Sequence, residues 1–144
     1  MSFFVRVWAR ILLAPILVTA VALLVRGYAS TGDGFAGGVV AATGVLLQYV
    51  AFGQRRVEAF LPVLWAGPAA GWGLALALAV TFGPGVLGRA PVSHFPAPGA
   101  HVTYVGMLEV HTALLFDAGV FLTVFGGLVS MLHWIAKPRP ERAP

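Results

Sequence analysis

Apolar residues gather along the chain in four runs, Phe3 to Val25, Phe35 to Phe52, Phe60 to Phe82 and Thr112 to Ile135, separated by short segments that hold most of the polar residues. Each run is about 20 residues long, the length at which a helix rising 1.5 Å per residue crosses the hydrocarbon of a bilayer. None alternates apolar and polar residues as a half-buried strand does. The pattern therefore predicts an all-α integral membrane protein: a single domain over 1–144 with four transmembrane helices at about 3–25, 35–53, 60–82 and 112–136. The first run also has the basic-then-apolar layout of a signal peptide, with Ala29 and Ser30 behind it, and is read as a retained span. Between the third and fourth spans lies "GPGVLGRAPVSHFPAPGAH", Gly83 to His101. Its prolines and glycines predict a loop over 83–104 that is neither regular helix nor strand.

Composition agrees with this reading and narrows it. Of 144 residues, 59% are hydrophobic and 10% charged, more apolar surface than a soluble domain of this length can hide. With no cysteine, disulfides, thiolate metal sites and thiol catalysis are excluded. The net charge of +4 does not mark a nucleic-acid partner, because the basic residues follow the topology. Arg6, Arg10, Arg55, Arg56, Lys137, Arg139 and Arg142 flank the N-terminus, the second connection and the C-terminus; only Arg26 and Arg89 fall on the other side. Excess basic charge marks the cytoplasmic side, so both termini are expected in the cytoplasm.

Within the spans, small residues recur three or four apart and so share helix faces. These faces are Gly37, Ala41, Gly44 and Gln48 in the second span; Gly67, Gly71 and Ala75 in the third; and Gly119, Thr123, Gly126 and Ser130 in the fourth. In lipid such faces let backbones approach and let Ser, Thr or Gln bond across helices. The fourth span also carries the acid Asp117, on the side opposite the small stripe and shared with Phe121, Val124 and Leu128. An ionised carboxylate in hydrocarbon costs at least ~2.5–3.5 kcal/mol. That face therefore asks for a neighbour, a water-filled cavity or a partner subunit. Two roles stay open for Asp117: a hydrogen-bonded lock between helices, or a contact for a proton or cation.

Other signals are weaker. Gly32 to Gly37 spells the dinucleotide-binding glycine pattern, but it joins two membrane helices without the strand and distal acid the chemistry requires. It is expected to be a tight extracytoplasmic turn, with Asp33 or Thr31 capping the second helix and Asp33 a second candidate for an ion pathway. Glu109 and His111, just before the fourth span, are candidates at its mouth. His94 and His101 lack a further ligand between them, so no metal or cofactor is expected. His133 and Trp134 suit an interfacial belt. Nothing forms a nucleophile with a base, and an enzyme is not expected.

Two of these stretches carry a family likeness. "STGDGFAGGVVAATGVLLQYVAFG", Ser30 to Gly53, resembles the glycine-rich turn and second helix of the MnhB component of Mrp-type (Mnh) multisubunit cation/proton antiporters, and "LLFDAGVFLTVFGG", Leu114 to Gly127, resembles its last helix. The turn departs from the family's usual three glycines before Phe, with Asp33 between Gly32 and Gly34. The resemblance implies a bacterial or archaeal inner-membrane subunit without catalytic activity of its own. It would be held among other Mrp subunits, including large complex I-like chains, in a complex exchanging Na⁺ and H⁺ across the bilayer, with Asp117 as the family's intramembrane acid. A membrane subunit of a hydrogenase-like energy-converting complex, and a homo-oligomeric small channel or transporter, are the rival readings.

Overall fold

The structure is a computed structural model that describes residues 3–26, 33–91, 93, 104–105, 108–109 and 112–137. Four helices are long and apolar enough to cross a membrane: α1 (Phe3–Arg26), α2 (Asp33–Phe52), α4 (Ala66–Val86, extended at its start by a 3-10 turn at Val63–Trp65) and α5 (Thr112–Ala136). They stand side by side. α1 packs on α2, α2 on α5 and α5 on α4, so that α2 and α5 hold the middle.

The burial pattern inverts that of a soluble bundle. Its interior is made mostly of Gly, Ala and Val, including Ala9, Ala20, Ala41, Val45, Ala77 and Val129, while Phe3, Trp8, Trp72, Val86 and Ile135 point outward. In lipid an exposed Trp or Ile carries no hydration penalty, and contact between helices is won by letting backbones come close. Hydroxyls are satisfied locally: Thr19, Thr43, Thr81 and Thr123 each donate to the carbonyl four residues back, at 2.7–2.9 Å. Thr123, on a face expected to bond across helices, thus bonds to Gly119 of its own helix.

The connection after α2 differs from expectation. The apolar run places the start of the third span at Phe60, but that residue closes a separate short helix, α3 (Gln54–Phe60). Gly53, at φ +78°, lets the chain turn: its N–H donates to the Tyr49 carbonyl (2.9 Å) and its own carbonyl accepts from Val57 (3.2 Å). α3 stops because Pro62 follows Leu61, and a residue before proline is driven to extended backbone; Leu61 lies at φ −112°, ψ 137°.

At the far end α4 runs on through Pro84 to Val86, into the stretch expected to be loop. The Pro84 carbonyl closes the end by accepting from Leu87 and Arg89 at 3.1 and 3.0 Å, and Gly88 leaves the helix at φ +73°. Farther along, Tyr104–Val105 (β1) and Leu108–Glu109 (β2) form a small antiparallel ladder, with Tyr104 opposite Glu109.

Candidate functional site

α5 is clasped on two faces by its own chain. One face holds Asp117, Phe121 and Val124. It lies in a groove of α2 lined by Gly34, Gly37 and Gly38: the Phe121 ring and the Val124 side chain stand over Gly37 and Gly38, and the Gly34 backbone meets the Asp117 backbone. A β-carbon at Gly34 would collide with the Asp117 carbonyl oxygen, so only glycine permits this approach. Asp117 is 7% exposed. The neighbour its face required is therefore α2 of the same chain. Asp33 opens α2 one residue before Gly34 and is half-buried, so the fold sets both acids near one end of the α2–α5 pair.

The other face of α5 meets α4. A β-carbon on Gly119 would sit 2.8 Å from the Gly73 carbonyl oxygen, one on Gly73 2.6 Å from that of Gly119, and Gly126 presses equally closely on Ala66 and Ala70. The face that α4 brings is thus Ala66, Ala70, Gly73 and Ala77. Gly67, Gly71 and Ala75, expected to form a close-approach face of the third span, are exposed; Gly71 has open space around it, and Ser130 lies near Gly67. Both sets run at helical spacing, so the sequence alone did not distinguish them.

α1 and α2 pack by the same device, with Gly37 under the Ala20 carbonyl and Gly44 under Ile16. Ala41 is buried nearby. Gln48, fully buried, donates from Nε2 to the Ala9 carbonyl at 2.6 Å, while its Oε1 is buried without a hydrogen-bond partner. Glu109 contributes only the backbone of β2, and its side chain lies outside the described residues, as does His111.

One constellation escaped the sequence reading. At the α2–α3 end, Glu58 Oε1 accepts hydrogen bonds from Gln54 Nε2 (2.9 Å) and Tyr49 Oη (3.2 Å), and His133 Nδ1 of α5 lies 2.6 Å from it. Burial pushes the Glu58 carboxyl up, but the bonds from Gln54, His133 and Tyr49 and the His133 charge outweigh it, holding the group below the ordinary value of 4.5. On the sequence, Glu58 looks like a solvated acid beside Arg55 and Arg56; only its i,i+4 spacing from Gln54 hints at a bond. Arg6 and Arg56 line a recess of about 420 Å³ at the same end, while Arg26 and Arg89 lie at or beyond the opposite ends of α1 and α4.

Residues 4–130 match the model of a domain related to the MnhB subunit of Na⁺/H⁺ antiporters. The chain belongs to the MnhB family. It is 30% identical over 128 residues to the corresponding MnhB-type chain of the Na⁺/H⁺ antiporter of Alkalihalophilus pseudofirmus, covering 89% of this chain and 88% of that one. It is 36% identical over 125 residues to a combined A/B chain of a probable K⁺/H⁺ antiporter of Rhizobium meliloti, of which it spans 12%. Its fold matches a chain in the Mrp complex of Dietzia sp. DQ12-45-1b at a TM-score of 0.72, with 22% identity, over 97% of this MnhB chain and 15% of that one. The likeness therefore extends over most of one relative and over a small part of two much longer chains.

Proposed function

We propose that this MnhB-family chain is a non-catalytic, multi-pass subunit of a bacterial plasma-membrane antiporter complex that exchanges a monovalent cation for protons. The observation that carries this reading is the extent of the family match, which reaches into all four spanning helices and includes Asp117. The named relatives are antiporters for Na⁺ in one case and K⁺ in another, which supports a monovalent cation as the exchanged ion. Both termini face the cytoplasm on this reading. Its support is the crowding of basic residues at the end where α1 begins and α2 and α5 finish.

The chain's part is first structural. Its faces of small residues hold α1, α2, α4 and α5 together, and Asp117 serves as a helix lock that also offers a proton or cation contact beside Asp33. Glu109 and His111, which precede α5 in the sequence, are assigned to the same contact. A bundle with a single acid this deeply buried among its described residues supplies one step of an ion path and leaves the remainder to neighbouring subunits.

The reading is tested by tagging the C-terminus, extracting the membrane in mild detergent and identifying the co-purifying chains by mass spectrometry. Recovery with several other integral subunits, large multi-span chains among them, is the expected result. Recovery of the chain alone or with soluble iron–sulfur proteins would overturn it.

A further inference from the structure

The short helix α3 is held to the bundle by a handful of side chains. Seven residues are too few for a helix that stands on its own, and α3 is cut off from its neighbours by the Gly53 turn on one side and the Leu61–Pro62 break on the other. Val57, fully buried, enters the apolar cluster with Tyr49, Val63 and Val129. Glu58, on the next position, gathers its bonds from α2, from α3 and from α5.

The contact from α5 differs in kind from the other two. Tyr49 and Gln54 are neutral donors, whereas an imidazole changes charge within the physiological range of pH. The Glu58 and His133 side chains are 22% and 12% exposed, screened from much of the solvent yet within reach of water. Among the other described groups at this end, the 3-10 turn at Val63–Trp65 has no titratable residue, Arg55 and Arg56 on α3 are exposed, Arg6 of α1 shares a recess with Arg56, and Lys137 lies over the Trp134 ring at 4.1 Å.

The geometry points to a proton-binding site in which the Glu58–His133 pair, loaded with one additional proton, clamps α3 to the end of α5. The chemistry is a plain protonation. In the unloaded pair the neutral imidazole donates Nδ1–H to the Glu58 carboxylate. Uptake of a proton from water at Nε2 leaves that bond in place and converts a neutral donor into a cationic one, and charge-assisted bonds of this type are shorter and stronger. Loss of the proton to water returns the weaker bond, leaving α3 to its apolar contacts through Val57 and Phe60. Since α3 carries Arg55 and Arg56 and joins α2 to α4, the proton held at this pair sets how firmly the connection between two spans is fixed. The inference rests on the fold and not on the antiporter reading.

The native chain has no cysteine, so spin labels placed at Arg55→Cys and Ile135→Cys, both exposed positions, report the distance from α3 to the end of α5 in the full-length chain in lipid nanodiscs. Distances are measured by pulsed electron resonance at about pH 5.5 and about pH 8.5, either side of the range in which imidazoles ordinarily titrate. The expected result is a longer-distance population that grows about two- to fivefold at the higher pH, the change that a partly exposed ion pair produces. His133→Gln and Glu58→Gln should each abolish that dependence. A distance distribution unchanged by pH in the otherwise native chain would overturn the proposal, as would a pH dependence that survives in a folded chain carrying either substitution.

Discussion

The backbone of Gly34 meets the backbone of Asp117 so closely that not even a methyl group fits between them. This contact joins the start of α2 to the second turn of α5, and it places the most deeply buried carboxyl among the described residues against the one residue type that can approach it. Adding a β-carbon there cannot be relieved by a rotamer change, because what it meets is main chain. Gly34→Ala should therefore destabilise the bundle by about 1–3 kcal/mol, the usual cost of overpacking. Gly71→Ala, in open space, should stay within about 0.5 kcal/mol, as exposed substitutions do. Thermal unfolding of the two variants in detergent provides the comparison, and an equal effect would contradict the packing described.

Asp117→Asn retains the shape of the side chain, but it replaces one acceptor oxygen with an NH2 donor and removes the ability to carry charge or exchange a proton. A lost buried polar interaction is worth about 1–3 kcal/mol, so recovery of the assembled complex is expected to drop about tenfold, with transport by what remains reduced further. Quantitative mass spectrometry and a vesicle exchange assay separate the two effects. Full assembly with full transport would show that the carboxyl is dispensable.

Gln48 tests how polar groups inside the bundle are valued. Its amide donates to Ala9, but its Oε1 is already unpartnered, so replacing the whole side chain removes a bond and a desolvated acceptor together. Gln48→Leu should consequently shift stability by no more than about 1 kcal/mol. Gln48→Glu, which puts an ionisable group at a fully buried position, should cost clearly more. Denaturant titration of the two variants checks the order.

The Glu58 carboxyl is held below its ordinary value of 4.5 in the folded chain. A group whose folded pKa is depressed contributes stability that is complete above the unfolded value and disappears as pH falls through the folded one. The stability difference between the native chain and Glu58→Gln should therefore be largest in mildly acidic solution, above 4.5 yet acidic enough to load the Glu58–His133 pair with its proton. It should shrink once pH falls below 4.5, measured by unfolding at a series of pH values. A difference that keeps growing as pH falls below 4.5 would reverse the sign of the argument.

How much of this was legible beforehand can be followed residue by residue. Asp117 stood out because a charge within an apolar run is conspicuous, and Gly37, Gly44, Gly119 and Gly126 stood out by their spacing. For α4 the spacing misled: Gly67 and Gly71 repeat as neatly as Gly73 and Ala77, and which set faces α5 depends on how the helix is rotated about its own axis, a quantity that periodicity does not contain. Glu58 and His133 were invisible as a pair, since 75 residues separate them and each alone has the look of an interfacial residue.

By itself the amino-acid sequence determined the class of the protein, the number of spanning helices and the location of its intramembrane acid. These follow from local chemistry: lipid demands long apolar runs whose backbone bonds close within each helix, and such runs can be counted. Tertiary structure alone decided that α5 lies between α2 and α4, that the Asp117 face is covered by the chain's own glycines, and that α3 is pinned by a carboxylate shared among three elements. Those outcomes depend on helix rotation and on contacts between distant residues, where many arrangements bury similar apolar area and close backbone fit chooses among them.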